Sequence, residues 1–138
     1  MDRGRRETNA LVGRGGPPTF FLARPAVLLK AEGITMLVGS ALLYWLYGGS
    51  WWLFFLLLLV PDTSMLGYLG GPRFGAMAYN AFHSYPLPAV LAAFGLLGVS
   101  PPALAVALVW FAHIGLDRTV GYGLKYPTTF GDTHLGRV

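Results

Sequence analysis

The sequence predicts an all-α integral membrane protein, an up-down-up-down four-helix bundle with both termini on the cytoplasmic side. Three observations carry this. Of the 138 residues, 54% are hydrophobic and only 12% are Asp, Glu, Lys or Arg, about half the charged share of a soluble domain. The charges are also segregated: between residues 31 and 116 they are Glu32, Asp62 and Arg73 alone. A soluble chain would scatter them, whereas hydrocarbon excludes them. Finally, four apolar runs follow one another, each near the ~20 residues that span a bilayer. So apolar a chain is no disordered one. It contains no cysteine, which excludes disulfides, thiolate nucleophiles, iron–sulfur clusters and Cys–zinc sites.

Residues 1–22 are rich in Arg, Gly, Pro and Thr and are expected to form a disordered basic arm near anionic headgroups. The transmembrane domain is expected over residues 23–124, with helices at about 25–47, 51–69, 74–97 and 102–122. The first run is too long for a signal peptide and no small-residue cleavage site follows it. The separators are turn chemistry: Gly48-Gly49-Ser50, Gly70-Gly71-Pro72, and Gly98 to Pro102. Loops this short force antiparallel neighbours. Residues 125–138 form a polar tail, expected on the cytoplasmic side.

Orientation follows from Lys and Arg. Arg3, Arg5, Arg6, Arg14, Arg24 and Lys30 precede or open the first helix, Arg73 flanks the second loop, and Arg118, Lys125 and Arg137 lie at the C-terminal end. The first and third loops carry none, so both termini are expected inside a bacterial plasma membrane. Trp45, Trp51 and Trp52 would join an outer aromatic belt.

Polar groups inside the runs point to a site. They are Glu32, Asp62, Asn80 with His83, and His113 with Asp117. Spacings of three and four put each pair on one helix face. At ~1.5 Å rise per residue all six fall in one layer of the cytoplasmic half, roughly 7–15 Å from the helix ends. A central carboxylate costs about 2.5–3.5 kcal/mol on insertion scales, so these groups are expected to face inward. Pro61 is expected to leave the Leu57 carbonyl without its helical donor, and Pro86 and Pro88 to interrupt the third helix likewise.

The strings Leu29-Lys30-Ala31-Glu32-Gly33, Gly49-Ser50-Trp51-Trp52 and residues 61–68 (PDTSMLGY) are distinctive. So are Gly71-Pro72-Arg73, Tyr79-Asn80 with His83, residues 112–118 (AHIGLDR), residues 121–127 (GYGLKYP) and residues 132–136 (DTHLG). Over residues 24–138 the chain resembles a family of small bacterial membrane proteins known as domain of unknown function 4260. The resemblance implies four membrane helices and brings no activity or ligand with it.

Two imidazoles and up to three carboxylates at one depth suit a hard or borderline divalent ion such as Zn, Mn or Fe. Asp62, His83, His113 and Asp117 are the candidate ligands. Glu32, Asp62, Asn80 and His134 are the candidate catalytic groups, with Asn80 orienting and His134 an acid or base carried by the tail. Arg73, Arg118 and Lys125 are candidates to hold a phosphate. The expected activity is metal-dependent hydrolysis of a lipid or other amphipathic substrate, with membrane lipids as partners and no nucleic acid. A proton relay in a small transporter, which would need a homo-oligomer, is the alternative. An ion-pair network joining Glu32 to Arg73 or Arg118, and Asp117 to a histidine ring, is the structural reading. A haem held by His83 and His113 sits poorly beside three carboxylates. Thr119-Val120-Gly121-Tyr122-Gly123 spells a potassium-filter string, but no pore helix follows it. Gly121 and Gly123 are expected simply to end the fourth helix.

Overall fold

The computed structural model describes residues 24–138; the expected basic arm lies outside them. The described chain is helical, with α1 at Pro25–Leu46, α2 at Trp51–Leu58, α3 at Pro72–Phe82, α4 at Pro86–Leu96 and α5 at Pro101–Val120. Two 3₁₀ segments occupy Pro61–Gly70 and His134–Arg137. The described residues contain no strand beyond an isolated antiparallel bridge between Lys125 and Thr133.

Three stretches, Pro25–Leu46, Trp51–Gly70 and Pro102–Val120, are long and apolar enough to cross a membrane. Large apolar side chains crowd the outside. On α1, Ile34, Val38, Leu42 and Trp45 recur at helical spacing, all exposed. An apolar exterior of this extent needs lipid or protein against it.

Two of the four expected continuous helices are broken. The second winds as α-helix to Leu58 and continues from Pro61 as a 3₁₀ segment. Pro61 is the cause, since it lacks an N–H and its ring crowds the preceding turn. The Leu57 carbonyl expected to lose its donor accepts one from Val60 N–H at 3.0 Å instead, a tighter turn. The third run stops at His83, and Pro86 opens α4 as a first-turn proline.

The centre of the fold is α5. It packs along α1, carries α4 on another side and touches α2, while α3 lies on the Pro61–Gly70 segment. Gly33 and Gly115 let α1 and α5 meet backbone to backbone: a Cβ on Gly115 would sit 2.6 Å from Leu37 N and 2.7 Å from Gly33 O. Where lipid removes the hydrophobic gain of burial, close contact of this kind holds helices together. Gly121 ends α5 in the left-handed region at φ 98°, its N–H on Asp117 and Arg118 carbonyls, as expected of a helix terminator and not of a filter.

Candidate functional site

The breaks in the helices build the site. Asp62 lies in the first turn after Pro61, His83 caps the C-terminal end of α3, and His113 and Asp117 stand one turn apart on α5. Their side chains meet. The two Nε2 atoms of His83 and His113 are 3.0 Å apart. Asp62 Oδ1 lies 3.4 Å from the first and 3.7 Å from the second. Asp117 Oδ2 lies 3.5 and 3.8 Å from the same two nitrogens. Both imidazoles are buried, whereas the Asp62 side chain is 44% exposed.

The orientation of His83 is fixed. Its Nδ1 is 2.9 Å from the Tyr79 carbonyl, which can only accept, so Nδ1 carries the proton and Nε2 presents a bare lone pair to the cluster. The ring stacks on Tyr79 at 3.6 Å. Tyr79 O–H donates to Asp117 Oδ2 at 3.1 Å. Ending α3 at His83 frees its carbonyl, and Arg118 Nη2 donates to it at 2.9 Å while Nη1 donates to Tyr122 O at 2.7 Å.

Asp62, His83 and His113 form a group able to hold a metal ion, their ligand atoms all within 4.8 Å of one another. Bonds of about 2.0–2.2 Å around one ion put neighbouring ligand atoms roughly 3.0–3.5 Å apart. The observed 3.0 and 3.4 Å match two edges of one triangular face of such a shell, and the third edge, 3.7 Å, is slightly longer. Two nitrogens and one carboxylate oxygen suit Zn or Fe(II), with positions left open.

The tail folds back over this cluster. The Asn80 amide grips the Lys125 backbone from both sides, donating to its carbonyl at 2.8 Å and accepting from its N–H at 2.7 Å. Lys125 is thereby buried, with Nζ donating to Phe130 O at 2.7 Å and lying over the Phe130 and Tyr79 rings. Burial lowers its pKa and the Asp117 charge opposes that. A cavity of about 320 Å³ adjoins the cluster, walled by Asp62, Met65, Tyr79, Asp117, Tyr122, Lys125 and Phe130.

Several expected members stand elsewhere. Glu32 is exposed on α1 and faces a separate groove; the Gly33–Gly115 contact turns that helix so that its bare face, not Glu32, meets α5. Asn80 holds the tail and does not orient the cluster. His134 is taken up inside the tail, its Nδ1 accepting from Leu124 N–H at 2.8 Å. Asp132 pairs with Arg137 at 2.6 Å and with the Thr128 hydroxyl. Arg118 is buried and spends one N–H of each terminal nitrogen on a carbonyl, Tyr122 O and His83 O, so it braces the end of α3. Arg73 is exposed in the first turn of α3. The expected ion pair of Glu32 with either arginine does not form among the described residues. Sequence reasoning overlooked Tyr79 as a positioning residue; its place one turn before His83, flanking Asn80, was the available signal.

The same cluster gathers the strings around Asp62, Tyr79 to His83, His113 to Arg118 and Lys125 into one place, and a family model spans all of them. The chain belongs to DUF4260, a domain of unknown function, matched over residues 26–138. The DUF4260 match begins in the first turn of α1 and runs through the folded-back tail. The tail is therefore part of the domain. No curated protein and no solved structure matches the chain.

Proposed function

We propose that this domain is a metal-dependent hydrolase embedded in the bacterial plasma membrane, acting near the cytoplasmic face on a lipid or other amphipathic substrate. The observation that supports it is the convergence of Asp62 Oδ1, His83 Nε2 and His113 Nε2 from three elements at ligand-shell spacing. A bound Zn, Mn or Fe ion would supply a water of lowered pKa and a Lewis acid. Asp117, steadied by Tyr79 and beside both imidazoles, is the candidate base. Lys125, on the cavity wall with one of its three N–H groups on Phe130 O, is the candidate to meet an anionic group of the substrate. The positive N-terminal arm and C-terminal end support a cytoplasmic location for both termini. The apolar packing of the other half, where Tyr44, Phe54, Leu108 and Val109 close the core, favours a one-sided site over a transport path.

The test is elemental analysis of detergent-purified protein never exposed to a nickel column, beside a His83→Ala, His113→Ala double variant. The expected result is about one transition metal per chain, lost in the variant while the helical circular dichroism persists. A metal-free wild type that also fails to bind added Zn or Mn overturns the reading.

A further inference from the structure

The Glu32 groove is a second feature, lined by none of the residues of the candidate metal cluster. It has a volume of about 650 Å³ and runs from Leu28 past Glu32, Met36 and Gly39 to Leu43, with Tyr85 on its far wall. That volume is in the range of small-molecule sites. The lining is mostly apolar; besides the single carboxylate near one end it holds the hydroxyls of Thr35, which donates to Ala31 O at 2.9 Å, of buried Ser40 and of Tyr85. Glu32 makes no hydrogen bond or ion pair among the described residues. Of the nearby cations, Arg118 donates to two carbonyls, and Lys30 is exposed with its Cε and Nζ beside Gly121 at the end of α5. A carboxylate within a membrane-spanning stretch is expensive and marks function by default.

The shape of the groove says what would compensate that charge. From Glu32 to Leu43 is eleven residues, about 16 Å of helix, the length of an extended alkyl chain of roughly a dozen carbons. We propose that this groove binds a single-chain cationic amphiphile, a long-chain amine or quaternary ammonium, with its head at Glu32 and its chain along Met36, Gly39 and Leu43. Charge complementarity selects the head, and the apolar wall accepts the tail without demanding hydrogen bonds. An anionic lipid chain would fill the same space and leave Glu32 unpaired, and a zwitterionic head would bring a phosphate charge along with its ammonium.

The experiment uses the full chain in phosphatidylcholine vesicles at pH 8, with spin-labelled alkyl chains bearing a quaternary ammonium, a phosphocholine or a carboxylate head. Electron spin resonance reads the motionally restricted fraction of each. The ammonium chain is expected to be selected about fivefold over the phosphocholine chain, the equivalent of about one unit-charge attraction at a membrane. Glu32→Gln is expected to bring the two to parity, and Glu32→Asp to keep the preference. Gly39→Leu fills the groove, since a Cβ there meets nothing within 4 Å, and is expected to lower the restricted fraction of the ammonium chain. Equal restriction of all three heads would overturn the proposal in favour of an ordinary lipid-filled groove. So would an ammonium preference that survives Glu32→Gln. A restricted fraction untouched by Gly39→Leu would overturn it in favour of a groove covered by a second copy of the chain.

Discussion

The two halves of this molecule are held together by different physics. In the half expected to face outward, Tyr44, Phe54, Leu108, Val109 and Ala112 form a buried apolar cluster. Tyr44 and Phe54 meet edge to face at 5.2 Å, Trp51 packs against both, and a single side-chain hydrogen bond, Tyr44 O–H to Ser50 O at 2.9 Å, ties the loop to the cluster. In the other half directional contacts are added to aromatic packing such as Phe82 on Trp110. Arg118 fastens the end of α3, Asn80 fastens the tail, Tyr79 fastens Asp117, and two imidazoles face each other across 3.0 Å. Shape tolerates small changes, whereas a network with unpaired members is costly. The Tyr44 half therefore serves as a clamp for α1, α2 and α5, and the Asp117 half holds the polar groups of the candidate metal site.

The largest effect should come where the two halves share a backbone contact. Gly33→Ala puts a Cβ 2.7 Å from Arg118 Cβ and 2.8 Å from Gly115 O. Overpacking of this kind costs about 1–3 kcal/mol, and here it displaces the arginine that holds His83. Both the thermal midpoint in detergent and the Zn affinity should fall. A variant that loses only stability would show that Arg118 does not position the cluster.

Tyr44→Phe should act on one half alone. It removes one net hydrogen bond worth about 0.5–1.5 kcal/mol and keeps the ring. The thermal midpoint should drop slightly and metal binding should not change; a change in metal affinity would mean that the halves are coupled through α5.

The smallest effect belongs to the tail. Burial first, and the Arg118 charge second, hold the His134 pKa below its ordinary value near 6.5. The unfolded tail then binds the extra proton more readily. The contribution of His134 to docking is accordingly complete above pH 6.5 and is lost as the pH falls through the lowered value. The Leu124 amide, which donates to His134 Nδ1, should lose exchange protection between pH 7 and pH 5 before the helices do. Unchanged protection at pH 5 would show that the Asn80 grip on Lys125 alone keeps the tail down.

Sequence by itself determined the helical class, the positions of the apolar runs and the candidates Asp62, His83, His113 and Asp117. The reason is that hydrocarbon tolerates so few polar groups that each one declares itself, and that proline and glycine punctuate a helix locally. Rotations and endings were beyond it, and its expectation that Glu32 faces inward did not match the structure, where Glu32 is exposed. Whether Glu32 faces α5 depends on which side of α1 is bare enough for close approach, and that is settled by Gly33 and Gly115 together, 82 positions apart in the chain. The role of Asn80 depends on a tail 45 residues later, and those of His134 and Asp132 on a hairpin that only docking creates. Pro61 announced a break, but the 3₁₀ winding that turns Asp62 toward two histidines was decided by the packing of that segment on α3. Period and composition are local and survive in one dimension. Which face meets which neighbour is a property of the assembled helices, and only the tertiary structure carries it.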